Sequence, residues 1–235
     1  MHKVCFIEMM YYTGPVVMLR LKEELCRLVN TYDQIEFWFT GCHNVFESAA
    51  LLFILDLKKN NPEKEIGVVA VVDPVKVSDV DGNTFNEERD GFPEGSVTRI
   101  QYAPCIVGKT EKYANRFIEH SKKVDRWVWE QCDTLLAFRY ENLPNTVNTE
   151  VSRVMKRTQI NVISIFDPAI MEYVNDVIDK MEGREGVILR GLREGRTYNS
   201  LGEELGVSLH RINQIASKTM RHLFADVRRK ALEEK

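Results

Sequence analysis

The sequence predicts an α/β fold, with a parallel sheet flanked by helices and a small all-α second domain. Two observations support this prediction. Residues 3–72 alternate short apolar runs with amphipathic segments, which is typical of parallel strands joined by right-handed helical crossovers. Near the end of the chain, residues 184–223 contain only helical periodicity, interrupted by glycine. Asp167-Pro168 marks the predicted boundary, which gives domains 1–167 and 168–235.

Each element of the first domain follows from a local pattern. The run 66–72 is almost continuously apolar, as expected for a parallel strand that is buried on both faces. Residues 73–95 contain Pro, Asp-Gly and Gly-Asn pairs, which predict a long polar loop, hairpin or lid. The predicted strands are 3–8, 35–40, 66–72, 100–106, 134–138 and 160–166, and the predicted helices are 16–29, 46–57, 111–131 and 149–157.

Composition and charge restrict the class of protein. A chain of 235 residues with 44% hydrophobic content fits one large or two modest soluble domains. The net charge of −3 argues against a protein coated in nucleic acid. Residues 207–235 nevertheless hold seven Lys or Arg against three Asp or Glu, whereas residues 168–206 hold five against eight. Positive charge therefore gathers on the last helical segment.

The cysteines and the apolar runs indicate a compartment. Five scattered cysteines without structural-zinc spacing fit a reducing interior, and no metal ligand is assigned. The N-terminus has no secretory pattern, and no apolar run reaches membrane length. We therefore expect a cytoplasmic protein that has no membrane partner.

The segment 201–208 contains a helix, a glycine stop and a new helix start. Leu201 and Leu205 share a helix face, and Gly206 supplies the left-handed residue that ends a helix tightly. Ser208 is a good N-cap for the next helix. Beyond it, apolar residues at spacings of three to five predict one buried stripe, formed by Ile212, Ile215, Met220, Leu223 and Val227.

The residues between the apolar positions of this last helix carry polar or basic side chains that can contact base edges and phosphates. They are His210, Arg211, Asn213, Gln214 and Lys218. Two short helices joined by a glycine turn, with donors on the outer face of the second, form the helix-turn-helix layout. The alternative is a helical bundle whose polar face is merely solvated.

Residues 181–223 resemble the fourth region of bacterial sigma factors. The resemblance rests on Arg184-Glu185, the Gly-Arg-Thr-Tyr link at 195–198, LGEELGVS at 201–208 and Arg-Ile-Asn-Gln-Ile at 211–215. The sequence departs from the family at Leu209, His210 and Asn213. The resemblance implies DNA binding through Arg196, Thr197, Ser208, Leu209, His210, Arg211, Asn213, Gln214 and Lys218.

In the first domain, three segments follow predicted strands, where ligands bind in parallel α/β sheets. They are residues 8–14, 40–44 and 139–150. Gly41 permits close approach of a ligand, while Asn148 and Thr149 are donors or caps at a helix start. Cys42 precedes a helix, a position that lowers a thiol pKa. Together these features suggest a nucleotide-like ligand.

Residues 3–166 resemble the SLOG superfamily, which comprises Rossmann-like domains related to nucleotide-processing LOG enzymes. The matching segments are VCFIE at 4–8, Gly41-Cys42-His43 with Phe46-Glu47, residues 125–138 and NTVNTEV at 145–151. The resemblance implies a site for a nucleotide or nucleotide-derived ligand, with no assigned catalytic residue. Its residues would be Glu8, Gly41, Cys42, His43, Glu47, Arg126, Thr146, Asn148, Thr149 and Glu150.

The leading hypothesis is a ligand-responsive, DNA-binding transcription regulator that acts as a homodimer or higher oligomer. A nucleotide hydrolase of the LOG type is the first alternative, with Glu150 and Arg126 as its candidate groups, although the glycine-rich loop of such enzymes is missing. A non-catalytic oligomerisation scaffold that contacts RNA polymerase is the second.

Overall fold

The computed structural model describes residues 1–8, 14–42, 44–72, 85–88, 90–104, 123–141, 143 and 146–233. It confirms the predicted fold class: the six strands form one all-parallel sheet flanked by helices. The spatial order β4-β3-β2-β1-β5-β6 reverses direction after β4, as in doubly wound sheets. The strands are β1 (His2–Glu8), β2 (Gln34–Phe39), β3 (Glu65–Val72), β4 (Arg99–Tyr102), β5 (Thr134–Phe138) and β6 (Asn161–Ile165).

The helices follow the predicted order. They are α1 (Pro15–Thr31), α2 (Val45–Asn60), α3 (residues 123–131), α4 (Thr146–Met155), α5 (Pro168–Lys180), α6 (Gly183–Arg193), α7 (Tyr198–Leu205) and α8 (Leu209–Glu233). Three predicted elements fall partly outside the described residues, namely the loop at 73–95, the end of the strand at 100–106 and the first half of the helix at 111–131. None of the described helices is long and apolar enough to cross a membrane.

The apolar strands account for the core of the sheet. All of β3 after Glu65 is buried, which matches its almost uninterrupted apolar sequence. Phe37 and Phe39 of β2 are buried beside Phe6 of β1, whose ring centroid lies 4.7 Å from that of Phe39 and 6.3 Å from that of Phe37. Phe46 meets Phe6 edge-on at 6.5 Å, so it packs the first turn of α2 onto the sheet.

The chain forms two compact units. The first contains Met1–Ile7, Met18–Ala137 and Val154–Ile163, and the second contains Glu8–Val17, Phe138–Arg153 and Ser164–Lys235. The second unit therefore includes the segments that follow β1 and β5 as well as α5 to α8. The boundary predicted after Asp167 stays a prediction. Asp167 itself caps α5, because its carboxylate accepts a hydrogen bond from the Ala169 N–H at 3.0 Å.

In the first unit, the surroundings of His2 favour the neutral form of its imidazole. Its ring stacks on Tyr32 with centroids 3.8 Å apart, and its Nε2 lies 3.0 Å from the Thr134 hydroxyl. Burial lowers the pKa of His2; the nearby Asp133 carboxylate raises it in part, and the N-terminal amine lowers it.

This environment predicts a loss of stability in mild acid. Below pH 6.5 an unfolded chain binds a proton at His2 that the folded chain takes up only at lower pH, so the stabilisation disappears as pH falls through that window. Urea unfolding at pH 7.5 and 5.5 should therefore give a smaller pH dependence for His2→Gln than for the wild type. The exposed His222 supplies the control variant, His222→Gln. Equal pH dependence in His2→Gln and wild type would contradict this account.

Candidate nucleic-acid interface

Arg190 joins the first two helices of the all-α region. Its Nη1 donates to the carbonyl oxygens of Ile178 at 2.9 Å and Met181 at 2.8 Å, so an α6 side chain caps the end of α5. Gly186 lies against the same turn, because a Cβ built on it would clash with the Met181 carbonyl oxygen. Gly186 and Arg190 together hold α5 and α6 in close contact.

A second close contact brings α7 onto α6. A Cβ on Gly191 would approach Leu201 Cδ2 to 2.7 Å, and Leu201 is fully buried. Thr197 begins α7 as its N-cap, since its hydroxyl accepts a hydrogen bond from the Ser200 N–H at 3.1 Å. The predicted apolar face of α7 is thus seated on α6 through Leu201.

The turn between α7 and α8 confirms the predicted glycine stop. Gly206 has a φ of 64°, in the left-handed region, and the Val207 N–H donates to the Gly202 carbonyl at 2.9 Å. A Cβ on Gly202 would lie 2.7 Å from the Val207 carbonyl oxygen. Ser208 caps α8 as predicted, because its Oγ accepts from the Arg211 N–H at 3.2 Å. These contacts fix the start of α8 relative to α7.

The predicted buried stripe of α8 is confirmed, with one difference and two additions. Ile215 is only half-buried, whereas Ala216 and Phe224 are buried and were not predicted. Ala216 and Phe224 each lie four residues after a predicted member of the stripe, Ile212 and Met220, so the helical spacing already carried a signal for both. The other buried members are Ile212, Met220, Leu223 and Val227.

The opposite side of α8 is exposed and rich in donors. Leu209, His210, Arg211, Asn213, Gln214 and Lys218 are all exposed, as is Arg221. Several of them hydrogen-bond along the helix: Arg211 Nη1 donates to Gln214 Oε1 at 3.3 Å, and Gln214 Nε2 lies 2.8 Å from His210 Nε2. A depression of about 770 Å³ runs along this side, between α8 and Glu185 of α6.

The remaining predicted DNA-contacting residues lie at the two helix starts. Arg196 forms an ion pair with Glu204 of α7, and both side chains are partly exposed. The hydroxyl oxygens of Thr197 and Ser208 accept N–H groups of their own helices, as described above. The sequence-predicted set is therefore brought together at the start of α7 and along the N-terminal half of α8.

Five of the predicted ligand-binding residues lie in the second unit. Glu8 ends β1, Thr146 begins α4, and Thr149 is exposed on the first turn of α4. Glu150 is nearly buried, and its carboxylate accepts from Arg153 Nη1 at 2.5 Å. Asn148 Nδ2 donates to the carbonyl oxygens of Tyr140 and Leu143, each at 2.7 Å.

The role expected of Asn148 and Thr149 at a helix start needs correction. Helix α4 begins at Thr146, three residues before the predicted start, so Asn148 is the third helical residue and not the cap. Its side-chain amide is a donor, as predicted, but it donates to the preceding loop. The amide holds that loop against the first turn of the helix, a role that depends on the positions of two carbonyls five and eight residues earlier in the chain.

The other predicted ligand-binding residues lie in the first unit, where Gly41, Cys42 and Glu47 surround the start of α2. Gly41 has a φ of 140°, which favours glycine, and Asn44 caps α2 by accepting from the Glu47 N–H at 2.6 Å. Glu47 is nearly buried, and Arg126 is half-buried on α3. His43 lies outside the described residues.

The polar segment predicted as a loop or lid covers Cys42. The Cys42 N–H donates to the Asp90 carbonyl at 3.3 Å, and a Cβ on Gly91 would lie 2.8 Å from the Cys42 carbonyl oxygen. Phe92 is buried against Phe39 of β2, with ring centroids 6.2 Å apart. The sequence analysis included Gly91 in an Asp-Gly turn pair but did not single out Phe92, although an aromatic residue after Asp-Gly in a polar stretch is a usable signal.

The expected low thiol pKa at Cys42 is wrong. Burial raises the pKa of the Cys42 thiol well above its usual range, and the nearby Glu47 carboxylate raises it further. The shift is therefore opposite in direction to the one expected from the position of Cys42 before a helix, and Cys42 is a buried thiol packed under residues 90 and 91.

Metal ligands and known relatives are two further sources that could identify the function of these candidate sites. Within the described residues, no group of three or more His, Cys, Asp or Glu could hold a metal ion. A scan against protein-family models and a search of curated proteins both find no match to this chain. The resemblances to sigma region four and to the SLOG superfamily therefore stay predictions.

Gly202→Ala should destabilise the protein by about 1–3 kcal/mol, because the new methyl group must displace the backbone at Val207. Urea unfolding measures this loss. The neighbouring exposed residue provides a matched control, since Glu203→Ala should change the free energy of unfolding by less than about 0.5 kcal/mol. A Gly202→Ala variant as stable as Glu203→Ala would show that the close turn is incorrect.

Asn148→Ala should cost about 1–3 kcal/mol of unfolding free energy, because the carbonyls of Tyr140 and Leu143 lose the hydrogen bonds from the Asn148 amide. Ser152→Ala, an exposed change on the same helix, serves as the control. If both variants unfold at the same urea concentration, the Asn148 amide does not hold the loop.

Proposed function

We propose that this protein is a DNA-binding transcription regulator whose helices α7 and α8 read duplex DNA as a helix-turn-helix. One observation carries the proposal. The tight turn from Gly202 to Ser208 buries the apolar sides of both helices, yet leaves the donor-rich side of α8 exposed from its first residue. A second helix presented in this way fits the major groove.

The chemistry of the exposed side supports DNA as the partner. Arg211 and Gln214 are types that form paired hydrogen bonds with guanine and adenine edges, while Lys218 and Arg221 suit phosphates. Leu209 is 50% exposed at the first position of α8, where an apolar side chain can contact a thymine methyl group. Helix α8 holds six Lys or Arg against two Asp or Glu. Positive charge is therefore concentrated on α8, although the whole chain has a net charge of −3.

The regulator would respond to a nucleotide or nucleotide-derived ligand at the carboxyl ends of the parallel strands, and it would bind DNA as a homodimer or higher oligomer. The sheet topology and the positive φ of Gly41 support the first statement. The second rests on the need of a helix-turn-helix for two half-sites.

Hydrolysis has less support, because the Glu150 carboxylate is nearly buried and paired with Arg153. Contact with RNA polymerase stays an alternative.

DNA binding is testable by titrating the full chain against random duplex fragments at two salt concentrations. Affinity should fall as salt rises, because bound phosphates release counterions. Arg211→Ala should weaken binding by about 1–3 kcal/mol, and Lys218→Ala should lower the slope of log affinity against log salt by about 1. Lys59→Ala removes an exposed lysine from α2 and should bind like the wild type.

Two results would contradict the proposal. One is binding that is absent at low salt. The other is that the Arg211→Ala and Lys218→Ala variants bind DNA as tightly as the Lys59→Ala control. The contact surface would then lie outside α8.

A further inference from the structure

One buried tyrosine of the loop after β5, Tyr140, contacts helix α8 within the second unit. Tyr140 is fully inaccessible to solvent, and its ring centroid lies 5.4 Å from that of Phe224 on α8. The rings of Phe138 and Phe166 lie 6.0 Å and 6.3 Å away. Tyr140 therefore sits in an aromatic cluster, and any displacement of its ring must move α8 or open a cavity.

The backbone of Tyr140 is held from the other side by α4. Asn148 on the first turn of α4 donates to the Tyr140 and Leu143 carbonyls, which fixes the loop to the helix that follows it. This loop leaves the carboxyl end of a central parallel strand, the edge at which ligands bind in such sheets. A ligand that shifts the first turn of α4 would thus shift Tyr140.

Helix α8 can carry such a shift to the DNA-reading side. It is one helix of 25 residues without an internal glycine or proline, so its two halves move together. Phe224 belongs to its C-terminal half, about 20 Å along the axis from Arg211. Lys230 adds a second anchor there, with its Nζ 4.4 Å from the Tyr173 ring centroid.

We propose that Tyr140 and Phe224 are positioning residues that couple the loop after β5 to the DNA-reading side of α8, so that a ligand on this loop regulates DNA binding. The inference rests on the proposed function. Coupling between two sites is reciprocal. Because this coupling runs through the packing of the Tyr140 ring on Phe224, we expect bound DNA to slow the opening of the loop even when no ligand is present.

Amide hydrogen exchange of the full chain, with and without a bound duplex fragment, tests this coupling directly. Amides at 139–141 and 146–150 should exchange ~5-fold or more slowly when DNA is bound. Phe224→Leu keeps an apolar side chain of similar size and should still bind DNA, but the exchange change at the loop should disappear. Phe46→Leu, a buried aromatic change in the first unit, should retain it.

Each outcome has a distinct meaning. Loop exchange that is unchanged in the DNA-bound wild type overturns the coupling and leaves DNA binding intact. A change that persists in Phe224→Leu overturns the role of the Tyr140–Phe224 contact. A chain that binds no duplex overturns both this inference and the proposed function. The wild-type comparison decides the coupling even if Phe224→Leu fails to fold.

Discussion

The close approach of Gly202 to the Val207 carbonyl is the constraint on which the arrangement of α7 and α8, the helices proposed to read DNA, depends. With no side chain at Gly202 and a left-handed Gly206, the chain can leave α7 and enter α8 within three residues. Ser208 then caps α8 at once, which places the donors of its first two turns outside the core. A larger residue at position 202 would separate the helices and displace those donors.

The length of α8 gives this unit a second property. A helix-turn-helix needs only a short second helix, yet α8 continues to Glu233 and buries Phe224 against Tyr140. Its first half is exposed to solvent on the donor side, whereas its second half buries Leu223, Phe224 and Val227, with the Phe224 ring against that of Tyr140. The surface proposed to read DNA and the loop proposed to respond to ligand are therefore attached to the same rigid element.

Local patterns were sufficient for most of the fold. The strand at 134–138, the glycine stop at Gly206 and the cap at Ser208 are found where the sequence predicts them, because each depends on neighbours within a few residues. Contacts between distant segments were not predictable. Asp90 and Gly91 cover Cys42 and contribute to its burial, and Asn148 reaches back to Tyr140. The surroundings of the candidate ligand residues were correspondingly less predictable than the helix ends around Gly206 and Ser208.

Methylation interference on a fragment that the protein retains tests the central claim most directly. Dimethyl sulfate modifies guanine N7 in the major groove and adenine N3 in the minor groove. If α8 enters the major groove, methylated guanine N7 within the bound site should weaken binding, and Arg211→Ala should remove part of that effect. Interference confined to adenine N3, or none at all, would contradict the account, because α8 would then not be reading the groove that its exposed side fits.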